Sequence, residues 1–290
     1  MADLWHLIAQ SPPAFIAGLG LLGLLTGSFL NVVIHRLPLM MERGWRDECA
    51  ALVGSPPVEN SPPFNLSTPR SRCPHCGHPI AAWDNIPILS WLLLGGRCRH
   101  CRSGISYRYP LIELAAGASS AIVAWHFGFS PAALLAAGMS WALIALSMID
   151  LDTQLLPDDI NQPLLWAGLV ANLFGTFVSL QEAVIGAMAG YLSLWCVFHA
   201  FRLATGKEGM GQGDFKLLAA LGAWLGWQAL PIIVVVSAFV GALVGLTLIG
   251  LGRHDRAQPM PFGPFLAVAG WLYLIWGQHL RQFLFVMAQP

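Results

Sequence analysis

The chain has 290 residues, of which 56% are hydrophobic and only 10% are charged, with a formal net charge of +0. A mean hydropathy of +0.62 is too high for a soluble globular protein. The composition predicts an all-α polytopic membrane protein, and the neutral charge balance gives no indication of nucleic-acid binding.

Apolar runs that approach the length of a membrane span, roughly 20 helical residues, recur along the chain. The run at 215–227 is short for a span, so a tilted or re-entrant segment is the alternative there. Trp224 and Trp227 at its end are placed as interfacial anchors would be. In all we predict about eight transmembrane helices, at residues 13–34, 110–127, 131–149, 162–180, 183–204, 215–227, 230–251 and 264–287.

The first run is expected to remain as an anchor, because no Lys or Arg precedes it and it leads directly into the basic HRLP at residues 35–38. Nine of the fifteen Lys and Arg lie at or in the loop between the first two runs, and the positive-inside rule places that loop in the cytoplasm. The N-terminus is then periplasmic, although Arg281 does not fit this orientation. The basic cluster also suits anionic lipid head groups.

The loop between the first two spans differs in composition from the rest of the chain. We therefore divide the chain into a first transmembrane helix (1–37), a cytoplasmic loop (38–109) and a transmembrane core (110–290). Within the loop, residues 40–68 carry several prolines and little apolar periodicity, so we expect few fixed contacts there.

Four of the six cysteines form two CxxC pairs, CPHC at Cys73 and Cys76 and CRHC at Cys98 and Cys101. Two such pairs supply the tetrahedral all-sulfur shell of a structural zinc ion, which leaves no open coordination position for hydrolysis. A pair of disulfides is the alternative, but a cytoplasmic loop is kept reducing. The substitute ligands nearby are His75, His78 and His100.

Two acidic residues stand at the edges of apolar runs. Asp150 closes the run 131–149, and Asp214 in GMGQGDFK opens the run 215–227. A carboxylate near hydrocarbon costs roughly 2.5 to 3.5 kcal/mol on insertion scales, so such acids are functional hypotheses. If the two meet, one can hold a proton and polarise a peptide carbonyl while the other activates water. The chain has no HExxH or GxSxG motif, so an aspartic protease pair is the favoured chemistry.

Structural roles are the alternatives for several of the acids. Asp214 could instead cap the helix that follows it. For Asp152, Asp158 and Asp159, which lie in a short polar loop, an interfacial or turn role is the favoured interpretation. Before Asp214, Gly211 and Gly213 would allow the close approach of an extended substrate strand.

Small-residue spacings within the apolar runs predict helix packing. The GxGxxG at Gly18, Gly20 and Gly23 lies inside an apolar span with no flanking strand, so it does not predict dinucleotide binding. The same packing role is expected for two further glycine pairs: Gly186 with Gly190, and Gly241 with Gly245.

Several motifs together resemble the type IV prepilin peptidases, which are GxGD-type intramembrane aspartic proteases. The resemblance covers nearly the whole chain in order. It is carried by GSFLNVVIHRLP (27–38), the two CxxC pairs, WDNIP (83–87), YPLIE (109–113), IDLDTQLLPD (149–158) and EGMGQGDFK (208–216).

This resemblance implies a bifunctional enzyme of the bacterial inner membrane. It would cleave the short basic leader from type IV prepilins and type II secretion pseudopilins, then methylate the new N-terminal residue, typically phenylalanine, with S-adenosylmethionine. Matched by motif, the catalytic residues are Asp150 and Asp214, at the cytoplasmic face. The methyl-donor pocket does not follow from the residues, and Glu113 with the zinc module is the first place to look.

Two rival functions remain open. In one, the zinc module only docks a partner such as a pilus assembly component. In the other, the protein is a methyltransferase in which the two acids are structural.

Overall fold

The computed structural model describes residues 11–54, 63–207, 209–251 and 260–287. All eight predicted spans form helices within these ranges. The chain forms two compact units, Met1–Ala133 and Leu134–Pro290. The helices are α1 (Pro12–Leu52), α2 (Leu89–Leu93), α3 (Arg108–Phe127), α4 (Pro131–Thr153), α5 (Asp158–Leu173), α6 (Leu180–Thr205), α7 (Gln212–Leu225), α8 (Leu230–Gly250) and α9 (Gly263–Met287).

Four of the described helices are long and apolar enough to cross a membrane: α1, α4, α6, and α8 with the short turn before it. This confirms the prediction of an all-α polytopic membrane protein. In contrast, α5 and α7 have only 16 and 14 residues.

In the first unit, α1 and α3 pack as an antiparallel pair through small residues. A Cβ atom at Gly23 would lie 2.5 Å from the carbonyl oxygen of Ala116, and one at Gly27 would lie 2.7 Å from Cα of Glu113. The predicted packing role of Gly20 and Gly23 is confirmed, whereas Gly18 has no other described atom within 4 Å of such a position. The two helix backbones can approach this closely only because these side chains are absent.

Helix α1 does not end at the first apolar run. It continues through Pro38 to Leu52, giving 41 residues and a length of about 61 Å at 1.5 Å per residue. Residues 39–52 include several good helix formers, and Glu42 and Arg46 pair one turn apart at 2.5 Å. The expectation that residues 40–68 have few fixed contacts is therefore wrong for the segment that α1 includes.

The same expectation is wrong for residues 64–69, which are held by Arg36. The guanidinium of Arg36 is buried and donates hydrogen bonds to the carbonyls of Asn65 (2.9 Å) and Pro69 (2.6 Å). The side chain of Asn65 closes the turn by accepting the backbone N–H groups of Ser67 and Thr68. A buried guanidinium needs acceptors, and the loop carbonyls supply them.

In the second unit, α7 lies at the centre, with α5, α6, α8 and α9 packed against it. Apart from Lys216, every residue of α7 from Asp214 to Leu225 is buried, as expected for a helix that is apolar on all sides. The predicted packing role of Gly186, Gly190 and Gly241 is confirmed. Gly186 lies against the backbone of Gly222 and Gly190 against that of Leu218, both on α7, and Gly241 lies against Phe265 of α9. Gly245 faces the side chain of Met260, which precedes α9.

Trp224 is not the interfacial anchor that its position predicts. Its side chain is buried, its indole N–H donates to the carbonyl of Leu164 at 2.8 Å, and its ring lies against Gly168. The missing side chain at Gly168 leaves room for the ring, and the carbonyl satisfies the indole N–H. Trp227, in contrast, is 47% exposed.

Asn172 holds the end of α7 opposite to Asp214. Its buried side chain donates to the carbonyls of Ala223 (2.8 Å) and Trp224 (3.1 Å) and accepts the backbone N–H groups of Phe177 and Val178. One carboxamide thus provides hydrogen-bond partners for the last turn of α7 and for the connection between α5 and α6.

We expect Asn172→Ala to destabilise the protein strongly, because each buried group left without a partner costs about 1–3 kcal/mol. The measurement is thermal unfolding in detergent, with Leu173→Ala as the control, since Leu173 is adjacent but 61% exposed. Equal unfolding midpoints for the two variants would contradict this role.

Candidate active site and metal centre

The structure brings Asp150 and Asp214 together in the second unit. Asp150 lies near the end of α4 and Asp214 in the first turn of α7, and their side chains are only 5% and 6% exposed. The two carboxyl groups are close enough to interact electrostatically. Two buried acids in this arrangement cannot both ionise comfortably, which is the property that a shared-proton pair requires.

Gly263 completes the surroundings of Asp150. The backbone N–H of Gly263, at the start of α9, donates to Oδ2 of Asp150 at 3.0 Å. A Cβ atom at this glycine would lie 2.7 Å from the same oxygen, so any larger residue would displace the carboxylate. The sequence analysis missed Gly263, and the only signal available was its position before Pro264 at the start of an apolar run.

Leu156 packs between the helix ends that carry the acids. A Cβ atom at Gly213 would lie 2.7 Å from Cβ of Leu156, and one at Gly263 would lie 3.2 Å from its methyl groups. Gly213 therefore provides room for Leu156, and the close approach of an extended substrate strand at Gly211 and Gly213 stays a prediction. Gly211 is extended (φ −78°, ψ 146°) and lies beside the Asp214 carboxylate.

The neighbouring polar residues support the N-terminal ends of α5 and α7. Asp158 at the start of α5 forms an ion pair with Lys216, with Nζ 2.8 and 2.6 Å from the two carboxylate oxygens. The amide nitrogen of Asn161 lies 3.5 Å from the carbonyl of Gly213, the residue before Asp214. Oδ1 of Asn161 is buried and has no hydrogen-bond partner among the described residues.

An apolar groove of about 350 Å³ lies along α4 and α5 in the same unit. Asp159 is its one acidic lining residue, and Trp224 of α7 contributes to its wall. The other lining residues are apolar: Leu134, Leu135, Gly138, Met139, Ala142, Ile160, Pro163, Leu164 and Ala167.

In the first unit, the four cysteines of the CxxC pairs form one cluster whose sulfur atoms all lie within 4.8 Å of one another. The Sγ atoms of Cys73 and Cys101 are 3.8 Å apart, which matches the edge of about 3.8 Å in a tetrahedron with metal–sulfur bonds of about 2.3 Å. The cluster can therefore hold a metal ion. His78 and His100 stack on each other, with ring centroids 4.3 Å apart, and are not among the clustered ligands.

Local hydrogen bonds favour the thiolate form at two of the four cysteines, Cys73 and Cys101, whereas burial and the neighbouring thiols raise the pKa of Cys76 to about 11. The backbone N–H groups of Cys76 and His75 bond to the Cys73 sulfur and lower the pKa of that thiol to about 6. The hydroxyl of Ser103, 3.1 Å from the Cys101 sulfur, lowers the pKa of the Cys101 thiol. Deprotonated cysteines are the metal-binding species, so both contacts support the metal centre.

The two CxxC turns have the same backbone geometry. Gly77 donates to the carbonyl of Cys73 at 2.9 Å, and Arg102 donates to that of Cys98 at 3.0 Å. Both donors lie in the left-handed region, Gly77 at φ +67° and Arg102 at φ +60°. Glycine adopts this conformation freely, whereas an L side chain is strained there.

The carboxylate of Glu113, on α3, joins three of the sequence motifs. Its Oε2 accepts the backbone N–H of Ile88 at 2.7 Å, and the hydroxyl of Ser28 also bonds to it. Nearby, Asn31 donates to the carbonyl of Tyr109 at 3.2 Å. GSFLN, WDNIP and YPLIE therefore meet at one buried carboxylate.

We expect Arg102→Gly to stabilise the metal-binding loop by about 1 kcal/mol, because it removes a left-handed L residue. The matched variant Gly77→Arg should destabilise the loop by a similar amount. Metal release to a competing chelator measures both effects. If Arg102→Gly releases metal more readily than the unmodified chain, the strain assigned to this turn is wrong.

Comparison with known proteins agrees with this arrangement. Residues 21–127 match the Bacterial Peptidase A24 N-terminal domain, and residues 137–246 match the Type IV leader peptidase family. The chain is 54% identical to the Stutzerimonas stutzeri "Prepilin leader peptidase/N-methyltransferase", over 94% of each chain. It is 54% identical to the Pseudomonas aeruginosa protein of the same name over 95% of each chain, and 55% identical to that of Aeromonas hydrophila over 97% of this chain and 98% of the relative.

No solved structure matches the chain. The two matched domains cover both units, and the similarity to these relatives extends over nearly the full length. The chain therefore belongs to the type IV leader peptidase family.

Proposed function

We propose that the protein cleaves the short basic leader from type IV prepilins and type II secretion pseudopilins, then N-methylates the new N-terminal residue, typically phenylalanine. Relatives that match over nearly the whole chain are named prepilin leader peptidase/N-methyltransferase. The observation that carries the proposal is the meeting of the buried acids Asp150 and Asp214 at the ends of two apolar helices.

In the proposed cleavage, the two carboxyl groups share one proton. Oδ2 of Asp150 accepts the N–H of Gly263 and so does not carry that proton itself. We assign Asp150 as the base that takes a proton from the attacking water, and Asp214 as the acid that polarises the scissile carbonyl. Water oxygen bonds to the carbonyl carbon, the C–N bond breaks, and Asp214 donates its proton to the leaving amine.

The position of the two acids suits a substrate in which a charged leader is followed by an apolar helix. A prepilin leader that stays in the cytoplasm, followed by an apolar helix in the bilayer, must be cut at the cytoplasmic edge of the inner membrane. Asp150 lies near the end of one apolar helix and Asp214 in the first turn of another, which supports a position at such an edge. The groove along α4 and α5 offers an apolar surface in the same unit.

We assign the metal at the four-cysteine cluster as zinc, held by Cys73, Cys76, Cys98 and Cys101. A four-thiolate zinc site is closed, so the ion would fix the loop structure and take no part in hydrolysis. S-adenosylmethionine is the proposed methyl donor. A contact between Glu113 and this donor stays a prediction, since the Glu113 carboxylate bonds Ile88 and Ser28 in the structure.

We expect Asp150→Asn and Asp214→Asn each to lower leader cleavage by about 10²–10⁴-fold or more, because either change removes the acid–base function. Methylation of a pre-cut pilin should continue in both variants. Purified protein with a prepilin substrate provides the measurement, and Asp47→Asn is the control because Asp47 is an exposed acid of the first unit. Normal cleavage by both Asn variants would exclude the acid pair. Absence of cleavage by the unmodified protein, with methylation intact, would favour the methyltransferase with structural acids.

We expect zinc removal by a chelator, or the double change Cys73→Ser and Cys76→Ser, to unfold the metal-binding loop and depress methyl transfer. Leader cleavage should fall less, because metal-binding energy contributes to folding of the loop and not of the second unit. Metal content and the two activities are measured on the same preparations. A fully active, metal-free protein would contradict the structural role of zinc.

A further inference from the structure

The segment that contains WDNIP and α2 lies beside the apolar run of α1. Asn85 and Ile88 contact Ser28 and Glu113, and Gly27 of α1 packs directly against Glu113 of α3. The apolar run of α1 continues to Ile34, six residues beyond Ser28, which is about 9 Å at 1.5 Å per residue. These contacts therefore lie beside the membrane-embedded part of α1, inside its apolar end.

Backbone groups at that depth require hydrogen-bond partners, since lipid supplies none. Several N–H groups of the segment have such partners. The N–H groups of Ile86, Ser90 and Leu92 bond to carbonyls within the segment, and Pro87 has no N–H. The N–H of Ile88 instead reaches the Glu113 carboxylate at 2.7 Å.

The backbone conformation of Ile88 is strained. Ile88 has φ +60°, a conformation that is unfavourable for a β-branched residue. A solvated N–H would not need a buried carboxylate as its acceptor. Glu113 therefore supplies the hydrogen-bond acceptor for the non-helical backbone at Ile88, beside the apolar run of α1.

The side chains of this segment divide into two faces. Leu92 and Leu93 are 61% and 78% exposed, and Leu89 and Trp83 are also exposed. A solvated loop with so many adjacent exposed apolar side chains would favour aggregation, whereas Leu and Trp are common where protein meets lipid. The other face is tied to the second CxxC turn, because Asp84 forms a two-pronged ion pair with Arg99.

We propose that residues 83–93 are a re-entrant segment that enters the cytoplasmic leaflet beside α1 and α3, with lipid acyl chains covering its exposed leucines. This interaction would set the height of the metal centre above the membrane. The side chain of Trp91 strengthens the connection, since its indole N–H donates to the carbonyl of Ile105 just after the second CxxC turn.

The test measures the depth of this segment in vesicles of phosphatidylethanolamine and phosphatidylglycerol. The full chain carries p-acetylphenylalanine at Leu92 or at Leu93, to which a ketone-reactive spin label is attached so that all cysteines stay unmodified. Leu52, 88% exposed at the far end of α1, is the matched control. Collisions with oxygen, which partitions into lipid, are compared with collisions with a water-soluble nickel chelate.

We expect labels at positions 92 and 93 to collide more often with oxygen than with the nickel chelate. The label at position 52 should collide more often with the nickel chelate. Nickel dominance at all three positions would overturn the proposal. Protection of positions 92 and 93 from both reagents would also overturn it, because protein rather than lipid would then cover this face.

Changes at Glu113 test its part in the proposal. Glu113→Gln keeps an oxygen acceptor for Ile88 and should preserve the oxygen preference at position 93, whereas Glu113→Ala should shift position 93 towards the nickel chelate. An unchanged position 93 in Glu113→Ala would contradict the role of the carboxylate. Leader cleavage is assayed on the same vesicles, so active enzyme with a water-exposed label would reject the re-entrant segment and leave the proposed function standing.

Discussion

The structure depends on one constraint, the cost of placing polar groups where neither water nor another polar group can reach them. Buried polar side chains avoid this cost by forming hydrogen bonds with specific partners. Asp150 accepts an N–H from Gly263, Glu113 accepts one from Ile88, and Asn172 bonds four backbone groups. These contacts fix the helix ends and the loop beside α3, so the groups assigned to chemistry sit on a rigid framework. Asn161 differs, since its buried Oδ1 lacks a partner among the described residues.

Close helix packing is the means by which these partners are brought within reach. In the first unit, Gly23 and Gly27 let α1 approach α3 so closely that Ser28 can bond Glu113. In the second unit, Gly186 and Gly222 allow backbone contact between α6 and α7, the helix that begins with Asp214. A side chain at any of these positions would separate the helices and move the polar groups that depend on them.

The acid pair and the metal centre belong to different units. Asp150 and Asp214 lie in the second unit, and the four cysteines lie in the first, tied to α3 through Asp84, Ile88 and Glu113. This separation supports the proposal that the two activities respond differently to loss of the acids and loss of the metal. It also gives the Glu113 carboxylate a physical role that is independent of any cofactor, as the acceptor for the Ile88 backbone N–H.

The sequence alone predicted eight apolar runs that form helices, a cluster of four cysteines, and Asp150 with Asp214 as the candidate acids. Apolar run length, CxxC spacing and acids at the edges of apolar runs are local patterns. The folded chain was needed to show that Trp224 is buried, that Arg36 bonds a loop, and that Gly263 and Leu156 lie beside the acids. Those features depend on which distant carbonyl, amide or glycine lies opposite each side chain. A pattern along the chain does not contain that information, since helix packing alone sets these partners.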